Sequence, residues 1–126
     1  MRAFETDCVL RILVVEDNPD LRETLSLLLE ADGRHIEAVA NAEDALRAFA
    51  VQAFDVVFTD IKLPGMSGLD LADRLRAIAP PPWIVISSGA AVPVLTGEAA
   101  QRTRFLGKPF AIETLDALLA EFEGAR

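Results

Sequence analysis

Acidic side chains follow two apolar segments of this sequence, and a lysine follows a third. Glu16 and Asp17 come directly after a run of aliphatic residues, and Asp60 ends the apolar segment that begins at Phe54. Lys108 comes after a shorter apolar run. Apolar runs of this length are typical of strands buried on both faces of a parallel sheet, whose carboxyl ends meet at one edge. We therefore expect three carboxylates and an ammonium group to converge in one crevice.

Hydroxyl groups follow a further apolar run at the same expected edge. The run that begins at Trp83 ends in Ser87 and Ser88, and Gly89 comes next. Successive side chains of a strand point to opposite faces of the sheet, so only one of the two serines can face the crevice. Residue spacing alone leaves the choice between them open.

The three carboxylates are expected to need a counterion. Like charges held close together repel strongly unless a cation lies among them. Hard oxygen ligands with no Cys or His nearby select Mg²⁺ or a similar ion. The sequence therefore predicts a divalent cation site lined by Glu16, Asp17 and Asp60.

The composition is typical of one soluble globular domain. The chain has 126 residues, 52% of them hydrophobic and 25% charged, and we expect a single domain with a core over about residues 9–123 and an N-terminal extension over about residues 1–8. A formal net charge of −8 argues against direct binding of nucleic acid or anionic lipid. No apolar stretch approaches the roughly 20 residues of a membrane span. With no signal-peptide pattern at the N-terminus, a cytoplasmic location is expected.

Helix signals fall between the apolar runs. Asn18-Pro19 places a capping side chain before a proline at the first helical position. The leucines that then recur at the spacing of one helix face are Leu21, Leu25, Leu28 and Leu29. Asn41 is expected to cap a helix over 42 to about 52, Ser67 to cap a helix that ends before 80–82, and a last helix to cover 111 to about 122. A weaker strand is expected over 34–40, and a short, late-starting helix within 89–103.

Strands and helices thus alternate five times with short connections. This order implies right-handed crossovers and a sheet covered by helices on both sides. We predict an α/β fold with a doubly wound, five-stranded parallel sheet in the order 2-1-3-4-5. Its topological switch point lies between the first and third strands, where the three carboxylates are expected.

Three spaced segments resemble the receiver domain of two-component response regulators. They are Ile12–Asn18 with the acidic pair, Thr59–Gly68 with Asp60, and Phe105–Phe110 with Lys108. They occur in the family's order, and the resemblance covers essentially the whole chain. It implies a (βα)5 flavodoxin-like fold of the chemotaxis-receiver kind. It also implies a signalling switch that catalyses only its own phosphorylation and dephosphorylation.

The resemblance implies a role for each acidic residue. Asp60 would be the phosphoryl acceptor. Asp17, Asp60 and the backbone carbonyl of Lys62 would bind Mg²⁺ directly, and Glu16 would act through metal-bound water. The side chain of Lys62 is either a solvated lysine in a turn or a screen between the phosphoryl group and water. In the second case we hypothesise that Lys62, together with Ala90, two residues after Ser88, tunes the lifetime of the phosphorylated state.

The resemblance also implies a role for Lys108 and a conformation for the peptide bond that follows it. Lys108 would pair with Asp60 at rest and with a phosphoryl oxygen after transfer, as a compact point charge. The peptide bond between Lys108 and Pro109 is expected to be cis, which would direct the lysine side chain.

A sensing hydroxyl and a switch aromatic complete the expected set. The family places a small residue directly after the sensing hydroxyl, and with Gly89 in that place Ser88 is favoured over Ser87. Phe105 occupies the place of the switch aromatic. Burial of its ring would accompany an inward movement of Ser88 and remodel the face formed by the fourth helix, fifth strand and fifth helix.

The implied function is that of a stand-alone response regulator. A partner histidine kinase or histidine phosphotransfer protein would supply the phosphoryl group, and a downstream protein would bind the remodelled face. A phosphorelay shuttle, a phosphate sink and a phosphorylation-independent interaction module remain as alternatives. A Mg²⁺-dependent phosphohydrolase is disfavoured, because Lys62 stands where such enzymes have a second aspartate.

Overall fold

The computed structural model describes residues 9–89, 97 and 101–124. The strands are β1 (Leu10–Val15), β2 (Arg34–Val39), β3 (Val56–Asp60), β4 (Trp83–Ser88) and β5 (Thr103–Gly107). The helices are α1 (Pro19–Leu29), α2 (Ala42–Val51), α3 (Gly68–Arg76) and α4 (Ile112–Gly124). All strand pairs are parallel, and the sheet order is β2-β1-β3-β4-β5. The predicted α/β fold and strand order are confirmed.

The predicted helix starts are confirmed at three caps. The Asn18 side chain accepts hydrogen bonds from the backbone N–H groups of the first turn of α1. Asn41 and Ser67 accept corresponding bonds at the starts of α2 and α3. Each cap supplies an acceptor to N–H groups that have no partner inside the helix, which sets where the helix begins after the preceding strand. The predicted N-terminal extension and most of the segment 89–103 lie outside the described residues.

Two apolar clusters cover the two faces of the sheet. Ile12 and Val14 on β1 pack into one cluster with residues of α1 and α4. Leu13 and Val15, which alternate with them, pack into the other cluster with residues of α2 and α3. All four side chains are fully buried or nearly so. Because both faces of β1 are buried, its sequence is a continuous apolar run and not an alternation of apolar and polar residues.

The leucine stripe of α1 is only partly directed toward the core. Leu29 is buried and Leu25 packs against the same cluster. Leu21 and Leu28 are 51% and 39% exposed, so the one-face spacing of the four leucines does not place these two in the core. The helix is rotated so that they lie on its flank beside the end of β5. Within the described residues, no helix combines the length and apolar character needed to cross a membrane.

Candidate functional site

The carboxyl ends of β1 and β3 bring three acidic side chains together. These strands are neighbours in the sheet, and Val15 pairs with Thr59, so the residues that follow each strand emerge side by side. Carboxylate oxygens of Glu16, Asp17 and Asp60 lie within 4.8 Å of one another. Glu16 is buried, Asp60 is half-buried and Asp17 is exposed. The predicted convergence of the carboxylates therefore occurs at the switch point of the sheet.

Lys108 supplies an ammonium group to this cluster. Its Nζ atom lies 3.1 Å from Oδ2 of Asp60 and 3.9 Å from Oε1 of Glu16. Its backbone N–H donates to the carbonyl of Ser88 at 2.9 Å, which ties the residue to the end of β4. The peptide bond between Lys108 and Pro109 is cis, the isomer expected for it.

The electrostatic balance of the cluster leaves room for a further cation. Burial raises the pKa of Glu16 above its ordinary value, the charge of Asp60 adds to this rise, and the Asn18 N–H and Lys108 oppose it. One ammonium group faces three carboxylates, and an all-oxygen donor set suits a hard divalent cation such as Mg²⁺. The residues present therefore fit the metal that the sequence predicts.

The two serines lie on different sides of Lys108. Ser88 is buried and lines a cavity of about 290 Å³ together with Asp60, Lys62 and Lys108. Ser87 lines a second cavity, of about 450 Å³, on the side of α1. Ser88 is thus the serine that shares a cavity with Asp60, in keeping with the choice favoured by the resemblance.

The backbone after Asp60 turns back toward its own carboxylate. The N–H of Lys62 donates to Oδ1 of Asp60 at 3.3 Å, and the Lys62 side chain is exposed. Lys62 lines the cavity of Asp60. The role of its backbone carbonyl as a metal ligand stays a prediction.

Phe105 lies away from the acidic cluster. It pairs with Ile86 across β4 and β5 and packs, half-buried, against the apolar cluster on the side of α2 and α3. It does not line the cavity of Asp60. Its switching role therefore stays a prediction.

Gly68 is a residue of the site to which the sequence analysis assigned no role. A Cβ atom on Gly68 would lie 2.1 Å from the carbonyl oxygen of Asp60, far inside contact distance. The Gly68 N–H donates to the carbonyl of Ile61 at 2.9 Å. The first turn of α3 thus packs directly on the backbone of Asp60. One feature of the sequence could have indicated this contact: a glycine, which is a poor helix former, stands at the first position of a well-capped helix.

A groove beside α1 adjoins the acidic cluster. We call this cavity of about 450 Å³, which Ser87 also lines, the α1 groove. Its apolar lining comes from Leu21, Leu25, Leu28, Pro109 and Phe110. Glu16 and Lys108 line the same cavity, so it begins where the charged site ends.

Comparison with known proteins identifies this arrangement. The model of the response regulator receiver domain matches residues 12–120. The chain belongs to this family. The receiver is 36% identical over 108 residues to the transcriptional activator protein PfeR of Pseudomonas aeruginosa, and 38% identical over 112 residues to the two-component response regulator PhoP of the same species. These matches cover 85% and 87% of the receiver but 35% and 50% of the relatives, so the chain spans a third to a half of their length.

Solved structures agree with the family assignment. A CheY-like receiver domain from Methylobacillus flagellatus is 36% identical, with a TM-score of 0.77 over 90% of this chain and 98% of that one. A structure of the histidine kinase ThkA in complex with the response regulator protein TrrA also matches, with 29% identity, a TM-score of 0.77, and coverage of 90% and 98%. Receivers of this family act as switches in two-component signalling.

Proposed function

We propose that this receiver accepts a phosphoryl group on Asp60 from a phosphohistidine of a partner protein, in a Mg²⁺-dependent reaction. The observation that carries the proposal is the position of Asp60, half-buried among two other carboxylates and 3.1 Å from the Lys108 ammonium group. We propose a single receiver domain as the unit that carries this activity.

The transfer needs positioning and charge neutralisation more than covalent assistance. A carboxylate oxygen of Asp60 forms a bond to phosphorus while the bond from phosphorus to the donor's imidazole nitrogen breaks. The electron pair of the broken bond stays on that nitrogen. Glu16, Asp17 and Asp60, with the backbone carbonyl of Lys62, would hold the Mg²⁺. When bound, the ion supplies positive charge for the carboxylates and for the phosphoryl oxygens.

The product carries more negative charge than the aspartate it replaces, and two nearby groups can respond to it. Lys108 can exchange its contact with Asp60 for one with a phosphoryl oxygen. Ser88 lies in the same cavity and would donate its hydroxyl hydrogen to a second phosphoryl oxygen. Both contacts favour one of two pre-existing conformations, and we propose that Phe105 reports the shift on the face around β5.

The α1 groove supports a protein as the phosphoryl donor. Leu21 and Leu28 expose apolar surface directly beside Lys108 and Glu16. A donor whose apolar side chains cover these leucines would bring its imidazole to the edge of the acidic cluster. The complex of ThkA with TrrA is a case in which a similar regulator binds a histidine kinase, and we propose a kinase or phosphotransfer protein as the partner here.

The test is labelling by a small phosphodonor. Incubation of the protein with acetyl phosphate and Mg²⁺ is expected to add the mass of one phosphoryl group, and Asp60→Asn is expected to abolish the addition. Asp116→Asn, a change at an exposed aspartate of α4, serves as the control and should label like the parent. Labelling of Asp60→Asn at the parental rate would contradict the proposal. Partner binding that phosphorylation leaves unchanged would instead support an interaction module.

A further inference from the structure

Arg22 on α1 reaches back to the end of β1. Its Nη1 atom donates to the backbone carbonyl oxygen of Glu16 at 2.9 Å. Arg22 lies in the first turns of α1, and its own backbone N–H donates to the carbonyl of Asn18. The guanidinium group therefore joins the helix to the peptide unit that links Glu16 to Asp17.

That peptide unit belongs to the short turn between β1 and α1, in which a side-chain hydrogen bond joins Asp17 to Glu16. The Glu16 N–H donates to the carbonyl of Val39 at 3.1 Å, which ties the turn to β2 on one side. The Asn18 N–H donates to Oε2 of Glu16 at 3.2 Å, and the Asn18 side chain caps α1. Asp17, between them, is exposed. An exposed carboxylate in a turn loses conformational entropy when a ligand requires one position of it.

We propose that Arg22 is a positioning residue for the metal site: it holds the Glu16–Asp17 peptide plane so that the Asp17 carboxylate is already directed at Asp60 before a cation binds. The inference rests on the proposed function, because it concerns the same Mg²⁺ site. Residues that orient metal ligands without touching the metal commonly affect its affinity strongly.

The positive charge of Arg22 should weaken cation binding, whereas its hydrogen bond to Glu16 should strengthen it. The direction of the change in Mg²⁺ affinity in a variant therefore distinguishes the two effects. A guanidinium group near the site repels a divalent cation, so removal of its charge alone would tighten Mg²⁺ binding. Removal of the hydrogen bond to Glu16 would release the turn and weaken binding. A measured loss of affinity in Arg22→Gln therefore reports positioning, and a gain reports charge.

The experiment compares Arg22→Gln and Arg22→Lys with the parent protein. Mg²⁺ affinity is measured by titration calorimetry at a temperature where thermal unfolding shows every variant to be folded. We expect Arg22→Gln to weaken Mg²⁺ binding by about tenfold. Arg22→Lys keeps the charge and one donor, and is expected to retain part of the affinity. The matched control is Arg47→Gln, which removes the same charge from an exposed arginine of α2 paired with Asp44, and should not weaken binding.

A second readout is independent of the metal. Without Mg²⁺, amide hydrogen exchange at Asp17 and Asn18 should be faster in Arg22→Gln than in the parent, because the turn is less restrained, and unchanged in Arg47→Gln. Parental or tighter Mg²⁺ binding in Arg22→Gln with unchanged exchange at the turn would overturn the inference and leave the proposed function standing. A parent protein that neither binds Mg²⁺ nor accepts a phosphoryl group would overturn both.

Discussion

Lys108 separates two regions of contrasting character. On one side lies the cavity of Asp60, Lys62 and Ser88, where charged and polar groups are held by hydrogen bonds to the ends of strands. On the other side lies the α1 groove, which leucines line and where apolar surface is exposed. The first region is suited to chemistry on a small charged group, and the second to recognition of a large apolar surface. We therefore expect that the proposed phosphoryl transfer and the proposed choice of donor protein can be altered separately in this receiver.

Replacement of Lys108 should produce the largest effect, because this residue belongs to both regions. Lys108→Met removes the ammonium group 3.1 Å from Asp60, and we expect labelling by acetyl phosphate to slow by about 100-fold, the scale of losing one charge-stabilising donor. Lys62→Met, at the only other lysine of the sequence, is the control and should label at close to the parental rate. Equal losses in the two variants would show that the effect is one of overall charge.

A methyl group at Gly68 should impair the polar region alone. In Gly68→Ala the Cβ atom would overlap the Asp60 carbonyl oxygen, so the start of α3 or the end of β3 must move. We expect a loss of about 2 kcal/mol in the free energy of unfolding, as for other overpacked sites, and slower labelling of Asp60. Urea unfolding measures the first effect and intact mass the second.

Gly124→Ala is the control for this steric argument. Among the described residues, and apart from its chain neighbours and its own helix backbone, no atom lies within 4 Å of a Cβ atom built at Gly124. The change should therefore not lower the free energy of unfolding, and is expected to raise it by up to about 1 kcal/mol because alanine restricts the unfolded chain more than glycine does. A Gly68→Ala protein as stable and as readily labelled as the parent would refute the assigned contact.

Changes in the α1 groove should separate donor recognition from chemistry. Leu21→Ala with Leu28→Ala is expected to raise the KM for a phosphorylated donor protein by about tenfold, since each truncation removes apolar surface whose burial contributes ~1 kcal/mol. Labelling by acetyl phosphate should not change. Leu27→Ala is the matched control, because Leu27 is 59% exposed on the same helix but does not line the groove. A parallel loss with both donors would contradict the division of roles.

The smallest expected effect concerns the lifetime of the phosphorylated state. Lys62 is exposed at the mouth of the Asp60 cavity, and its side chain is expected to hinder the approach of water to the phosphoryl group. Lys62→Ala should therefore release phosphate a few times faster, a change of less than about 1 kcal/mol in the barrier, measured as the decay of the labelled mass after removal of the donor. Release at the parental rate would defeat the idea.

Much of the fold follows from short-range features of the chain. The caps at Asn18, Asn41 and Ser67 could be predicted because a side-chain acceptor next to free N–H groups is a local interaction. The convergence of Asp60 with Glu16 and Asp17 could be predicted because parallel strands with helical crossovers place their carboxyl ends at one edge.

Other features depend on how the elements pack. The pleat requires Ser87 and Ser88 to face opposite ways, and the register pairs Asp60 with Ser87. The Asp60 cavity is nevertheless lined by Ser88, so the choice depends on how the chain turns at the strand ends and not on the register alone. The exposure of Leu21 and Leu28 depends on the rotation of α1 about its axis, since four leucines satisfy the helical period equally well.

The order of elements, their caps and the set of groups at the strand ends follow from the amino-acid sequence, because local hydrogen bonding and the geometry of parallel sheets leave few alternatives. The contact of Gly68 with the Asp60 backbone and the bond from Arg22 to the Glu16 carbonyl arise from packing and were visible only in the folded molecule. Both depend on distances of a few ångströms between a helix and a strand end, and residue types along the chain do not encode such distances directly.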